Sequence, residues 1–212
     1  MDTNKAWHME TIIAAAAKKL EKNHFKAITA RTSAEAVNHA LGLITANESV
    51  GAGGSQTLIQ LELIERLAER GQQLYANKPG LSAEESLKLR RQALNSDIYM
   101  ASPNAVTLDG KLLFMDSIGN RASGMIFGPK KVIAFAGANK IVENEAAGWA
   151  RIRQVAGPLN SRRLKLENPC ATTGICSDCD SPKRICNIAV TLHKIPRHTQ
   201  YYVILIAEEL GY

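Results

Sequence analysis

What most restricts the fold of this chain is a set of short apolar runs separated by helix-length amphipathic segments. Asp97 to Ala101, Lys130-Lys-Val-Ile-Ala-Phe-Ala-Gly137 and Tyr201 to Ala207 each read as a buried strand, and the last is apolar enough to be central. Helical periodicity fills the intervals. Lys5 to Glu21 carries Ile12, Ile13, Ala16 and Leu20 on one face and ends near Asn23. Phe25 to Ala30 alternates as a short strand, and Thr32-Ser-Ala-Glu35 has the capping-box form before a helix with Ala36, Val37, Ala40, Leu41 and Ile44. Leu74 to Ala76 is a further short strand and Asn77 to Gly80 a turn. Ser82, with Glu85 three residues on, starts a helix to Leu94. Strands separated by helices of this length imply βα units, hence an α/β fold with a mostly parallel sheet flanked by helices.

Two local signals refine this scheme. Glu48-Ser-Val-Gly-Ala-Gly-Gly-Ser-Gln-Thr57 is a strand running into glycines and then into one helix with Leu58, Ile59, Leu61, Leu63, Ile64 and Leu67. Gly51, Gly53 and Gly54 would let backbone N–H groups approach an anion, with the Ser55 hydroxyl beside them; a tight turn needing positive φ explains the same glycines. The spacing is neither a dinucleotide fingerprint nor a Lys-bearing P-loop. Val106 to Met115 is a hairpin, for which Asp109-Gly110 suggests a type I′ turn, and it inserts an antiparallel pair into the parallel scheme. Asp116, Asn120, Arg121, Asn139 and Lys140 fall in loops beside strand ends, where open α/β sheets bind ligands; solvated loop residues are the alternative reading. Glu143 to Val155 reads as a helix with Trp149 and Ile152 buried, ended by Gly157-Pro158. Ile188 to Leu192 precedes Tyr201 to Ala207 as a closing strand.

Composition limits the function classes. With 212 residues and 45% hydrophobic content the chain supports one sizeable core, without repeats or a linker, so a single domain over 1–212 is expected. No run approaches the roughly 20 apolar residues of a membrane span, and the first residues lack signal-peptide sections, so a cytoplasmic location is expected. The net charge of +6 lies entirely in residues 121–212, with 13 Lys+Arg against 7 Asp+Glu. Aromatics make up only 5% and do not interleave with the basic residues, which argues against nucleic acid and for a solvated surface together with an anionic small-molecule ligand. The histidines read as surface, turn or helix-end residues; Glu35 and His39 share a helix face but lack a third ligand.

The most definite chemical signal is Cys170-Ala-Thr-Thr-Gly-Ile-Cys176-Ser-Asp-Cys179-Asp-Ser-Pro-Lys-Arg-Ile-Cys186, which holds all four cysteines. In a reducing compartment such clustering points to metal binding before disulfides. Four thiolates suit a [4Fe–4S] cluster or a structural Zn, and the Gly, Asp, Ser and Pro between them supply turns. The spacing is neither the ferredoxin run nor two zinc knuckles, and a Cys176–Cys179 redox pair or inert thiols stay open.

Four segments together resemble the LUD-domain family of bacterial lactate-utilisation proteins, especially its short members. They are S-P-N-A-V-T-L-D-G-K-L-L at 102–113, which includes Asn104, D-S-I-G-N-R-A-S-G-M-I-F-G-P-K-K-V-I at 116–133, A-G-A-N-K-I-V at 136–142, and the cysteine segment with its flanking N-P and N. The Gly51 to Ser55 turn stands where that family has a similar V-G-x-G-G-S. The resemblance implies a Rossmann-like sheet akin to ribose-phosphate isomerases, CoA transferases and formyltetrahydrofolate cyclo-ligases. It also implies a role with iron–sulfur oxidoreductase subunits in oxidising lactate or a similar 2-hydroxy acid, and tips the metal toward [4Fe–4S]. A homo-oligomer is compatible with it. Two alternatives stand beside this: an independent enzyme on a phosphorylated, CoA or folate-like substrate with a structural Zn, and a ligand or redox sensor. For the enzyme, no nucleophile and base pair is evident, and the crevice loops hold no glutamate like that of CoA transferases.

Overall fold

The computed structural model describes residues 2–78 and 80–212. In chain order the elements are α1 (Thr3–Lys22), β1 (Lys26–Ala30), α2 (Ser33–Gly42), β2 (Val50–Ala52), α3 (Gln56–Gln60), α4 (Leu63–Glu69), β3 (Leu74–Tyr75), α5 (Ala83–Ala93) and β4 (Ile98–Ala101). There follow β5 (Ala105–Thr107), β6 (Leu112–Asp116), α6 (Asn120–Ile126), β7 (Lys131–Gly137), a 3-10 turn (Ala138–Lys140) and β8 (Ile141–Val142). The chain closes with α7 (Glu145–Arg151), a π turn (Ile152–Ala156), α8 (Gly157–Arg163), α9 (Pro169–Thr173), β9 (Ile188–Leu192) and β10 (Gln200–Ile206).

Six strands pair in parallel in the order β1-β10-β7-β4-β2-β3, so the expected α/β architecture with a parallel sheet between helices is what forms. The central strands are apolar on both faces because both faces are covered. Along β7, Val132, Ala134 and Ala136 pack with α1, while Ile133 and Phe135 pack with the core of α2, α3 and α4. Tyr201, Val203 and Leu205 of β10 alternate with Ile204 and Ile206 in the same way. The capping boxes form much as their sequences suggest. Thr32 accepts from the Glu35 N–H, although the Glu35 carboxylate turns back to the Arg31 N–H, while Ser82 and Glu85 form the reciprocal pair.

Several expectations are corrected. The hairpin does not enter the parallel sheet: β5 and β6 form a second sheet in the order β8-β5-β6-β9. Ile188 to Leu192 therefore closes that smaller sheet, antiparallel to β6, because its residues are apolar on one face only. Within the hairpin only Gly110 has positive φ, at 85°, and its N–H donates to the Thr107 carbonyl. This is a type I turn closed by a left-handed glycine, the G1-bulge arrangement, rather than type I′. The apolar run after the glycines breaks into α3 and α4 at Glu62, which is left-handed at φ 50°. Gly157-Pro158 does not end the helix begun at Glu145. Pro158 cannot donate to a carbonyl one turn back, and the π turn over Ile152–Ala156 widens the helix at that point, so helical backbone continues as α8. Ile152 is buried on the second sheet, but Trp149 is only half-buried. The Asn77 to Gly80 turn includes Pro79, which lies outside the described residues. All five histidines are exposed.

Candidate functional site

The carboxyl ends of β2, β4 and β7 point to one edge of the parallel sheet, and the loops that follow them open onto a cavity of about 670 Å³. Gly54 and Ser55 come from the loop after β2, Ser102 and Asn104 from the loop after β4, and Lys140 from the 3-10 turn after β7. Asp116, Asn120 and Arg121 come from the corner between β6 and α6. Convergence at one sheet edge follows from parallel strands sharing a direction.

Three expected site residues do structural work beside the cavity. A Cβ on Gly51 would collide with the Ala93 carbonyl and the Ser96 hydroxyl, so this glycine lets α5 lie against β2. A Cβ on Gly53 would stand 3.0 Å from both the Arg121 side chain and the Tyr99 hydroxyl. Asn139 accepts from the Leu210 N–H at 3.1 Å and donates to the Gly211 carbonyl, fastening the segment after β10. Ser55 caps α3 through the Leu58 N–H at 3.3 Å.

Arg121 is tied inward. Its guanidinium donates to Asp116 Oδ1 at 2.9 Å, to Asn104 Oδ1 at 2.7 Å, and to the Met115 and Ser102 carbonyls at 2.8 and 3.3 Å. Asp116 Oδ2 accepts from the Ala122 N–H at 2.6 Å, and Asn104 Oδ1 also accepts from the Met115 N–H. The planar five-donor guanidinium suits this role, linking β4, β6 and α6 and shaping one wall.

Lys140 is the chemically unusual group. It is 3% exposed, and its Nζ donates to Ser102 Oγ at 2.7 Å and Thr57 Oγ1 at 2.9 Å. Burial, then the charges of Arg151 and Arg121, holds its pKa well below the ordinary lysine range. Arg151 itself is anchored by the Asn139 and Asn104 carbonyls. Thr57, Ser102 and Arg151 were not singled out in the sequence, because short polar residues in apolar surroundings carry no periodic signature. Arg90, Arg163, Lys183 and Arg184 also line the cavity, and Asp116 is the only carboxylate side chain among the described lining residues. Arg163 is held by Asn160, Lys183 by Glu167 and Arg184 by Asp178. Arg90 has no hydrogen-bond partner among the described residues.

The cysteine segment forms another wall of the same cavity. Cys186, Met115, Arg184 and Ile185 line it and also line a small adjoining cavity of about 40 Å³. Cys170, Cys176 and Cys179 surround that smaller cavity, and all four thiols are free. Burial raises the Cys186 thiol pKa, Cys176 raises it further, and Arg184 opposes both. Asn168, which lines the same space, has a buried Oδ1 with no hydrogen-bond partner among the described residues. Among the described residues no three His, Cys, Asp or Glu side chains are grouped closely enough to hold a metal ion. The four thiols share the lining of one small space, and in this arrangement they stand too far apart to hold a metal ion together.

No helix among the described residues is long and apolar enough to cross a membrane. No curated protein matches the chain in sequence. Among solved structures, a DUF162 family protein from Deinococcus radiodurans is similar, with a TM-score of 0.54 and 11% identity over 93% of this chain and 97% of that one. Ribose 5-phosphate isomerase from Plasmodium falciparum aligns over 53% of this chain and 52% of its own, with 19% identity and a TM-score of 0.33. The LUD domain model matches residues 13–206, which is most of the chain, and the chain therefore belongs to the LUD domain family.

Proposed function

We propose that this LUD-domain protein binds a small carboxylate, a 2-hydroxy acid such as lactate or its oxidised product, and serves the iron–sulfur-dependent oxidation of that acid as a subunit or accessory protein. The observation that carries the reading is the shared wall. A cavity lined by Arg90, Arg163, Lys183, Arg184 and the buried Lys140 adjoins a smaller space lined by the four cysteines, and Cys186 belongs to both. Lining of this charge concentrates anions, and Arg90 offers its guanidinium to a carboxylate. Cys170, Cys176, Cys179 and Cys186 would hold a [4Fe–4S] cluster, or zinc in a purely structural version. Bound there, a cluster supplies single-electron transfer next to the ligand. The chain's own residues bind and orient the acid, and the Lys140–Ser102–Thr57 hydrogen bonds hold a proton-accepting group at the cavity floor.

Calorimetric titration with lactate and pyruvate tests this. Saturable binding that weakens with added salt is expected, and Arg90→Gln should weaken it roughly tenfold, the scale of one charge-assisted hydrogen bond. Absence of binding for both acids at low ionic strength contradicts the reading.

A further inference from the structure

Lys140 has more consequence than an anion-binding charge. It sits at the end of the central strand β7, in a 3-10 turn that aims its side chain back among polar neighbours, and no carboxylate is among its hydrogen-bond or ion-pair partners in the described residues. Among the described residues its hydrogen-bond partners are the two hydroxyls of Ser102 and Thr57 alone, while Arg151 and Arg121 add like charge nearby. A buried amine with cationic neighbours and no counter-ion escapes the cost of an unpaired charge by losing its proton, which leaves a nucleophilic lone pair. Lys140 and Ser102 both line the cavity.

We propose that Lys140 captures the carbonyl carbon of a small 2-oxo acid as an imine. The choice of 2-oxo acid rests on the carboxylate reading of the cavity; the amine chemistry rests on Lys140 and its neighbours. The Nζ lone pair forms a bond to the C2 carbonyl carbon, and the carbonyl π electrons move to oxygen, which takes up a proton to become a carbinolamine hydroxyl. That hydroxyl then leaves as water, the nitrogen gives up its remaining proton, and a C=N double bond forms. Amine and ketone become imine and water, reversibly, with no oxidant or reductant required. Ser102 and Thr57, at 2.7 and 2.9 Å from Nζ, each can donate and accept a proton in this exchange.

Sodium borohydride reduces an imine to a stable secondary amine, so the test is treatment of the full chain with pyruvate and borohydride at neutral pH, followed by peptide mapping. The expected result is an adduct on Lys140 in clear excess over exposed lysines such as Lys183, lost in Lys140→Met. The map of the unaltered protein assigns the site even if that variant folds poorly. No adduct, or labelling spread evenly over surface lysines, overturns the inference. Pyruvate binding by calorimetry without an adduct removes the imine and leaves the carboxylate reading intact, whereas neither binding nor adduct removes both.

Discussion

Single side chains carry both the chemistry and an identifiable cost. Lys140 could be expected near a ligand from its place after a buried strand, but its burial was not legible, since nothing in Ala-Asn-Lys distinguishes a lysine turned inward from one in solvent. Arg121 shows the converse. A cation in a crevice loop reads as a ligand clamp, yet four acceptors, two in the loop after β4 and two in β6, claim its guanidinium. Tyr201 bears the clearest cost. It is fully buried beside Phe25, edge to face with ring centroids 5.1 Å apart, and its hydroxyl has no hydrogen-bond partner among the described residues. A buried hydroxyl without a partner forfeits its hydration. Tyr201→Phe keeps the ring and removes the orphan group, and it should stabilise the protein by about 1–3 kcal/mol. The measurement is the urea unfolding midpoint, expected to rise with an unchanged slope. A fall would mean that the hydroxyl is paired after all.

At the scale of elements, the cysteine segment differs from the rest of the molecule. Its only helix, α9, has five residues, and of these Ala171 alone is buried. What holds the segment is polar. Asn168 Nδ2 donates to Ser161 Oγ at 2.9 Å and to the Lys183 carbonyl at 3.0 Å, Arg162 reaches the Ala171 carbonyl, and Arg184 gathers the Cys179 and Cys186 carbonyls. With so little apolar burial, much of its order would come from a group bound by the thiols. Loading with iron and sulfide under anaerobic conditions, or with zinc, should therefore stabilise the protein by on the order of 3 kcal/mol at a hundredfold excess over the dissociation constant, seen as a raised thermal midpoint. Cys179→Ser should lose that increase and chelation should reverse it. A midpoint indifferent to both metals would count against a four-thiolate site. The segment was legible as chemistry because cysteine spacing is local. The hairpin turn and the helix through Pro158 depart from their sequence patterns because the Gly110 N–H closes on the Thr107 carbonyl in one case and the preceding turn widens in the other.

Over the whole molecule, the parallel sheet was legible because its central strands are apolar on both faces, and that pattern survives in one dimension. The second sheet was not. It pairs β6 with β9, matching Asp116 to Ile188 and Leu112 to Leu192, and no local pattern marks a pairing between segments so far apart in the chain. That pairing has a functional result. It returns the chain from the cysteine segment to the β6 strand that ends in Asp116, and so lays the segment along the cavity. Of the cations in residues 121–212, Arg163, Lys183 and Arg184 line the cavity, the last two paired with Glu167 and Asp178.

Hydrogen–deuterium exchange with and without saturating pyruvate tests most directly whether the strand-end loops and the cysteine segment enclose one anion site. Protection is predicted together in residues 54–57, 102–104 and 182–187, with α1 and α2 unchanged. Protection confined to other regions, or none at a concentration that saturates calorimetric binding, would contradict the account.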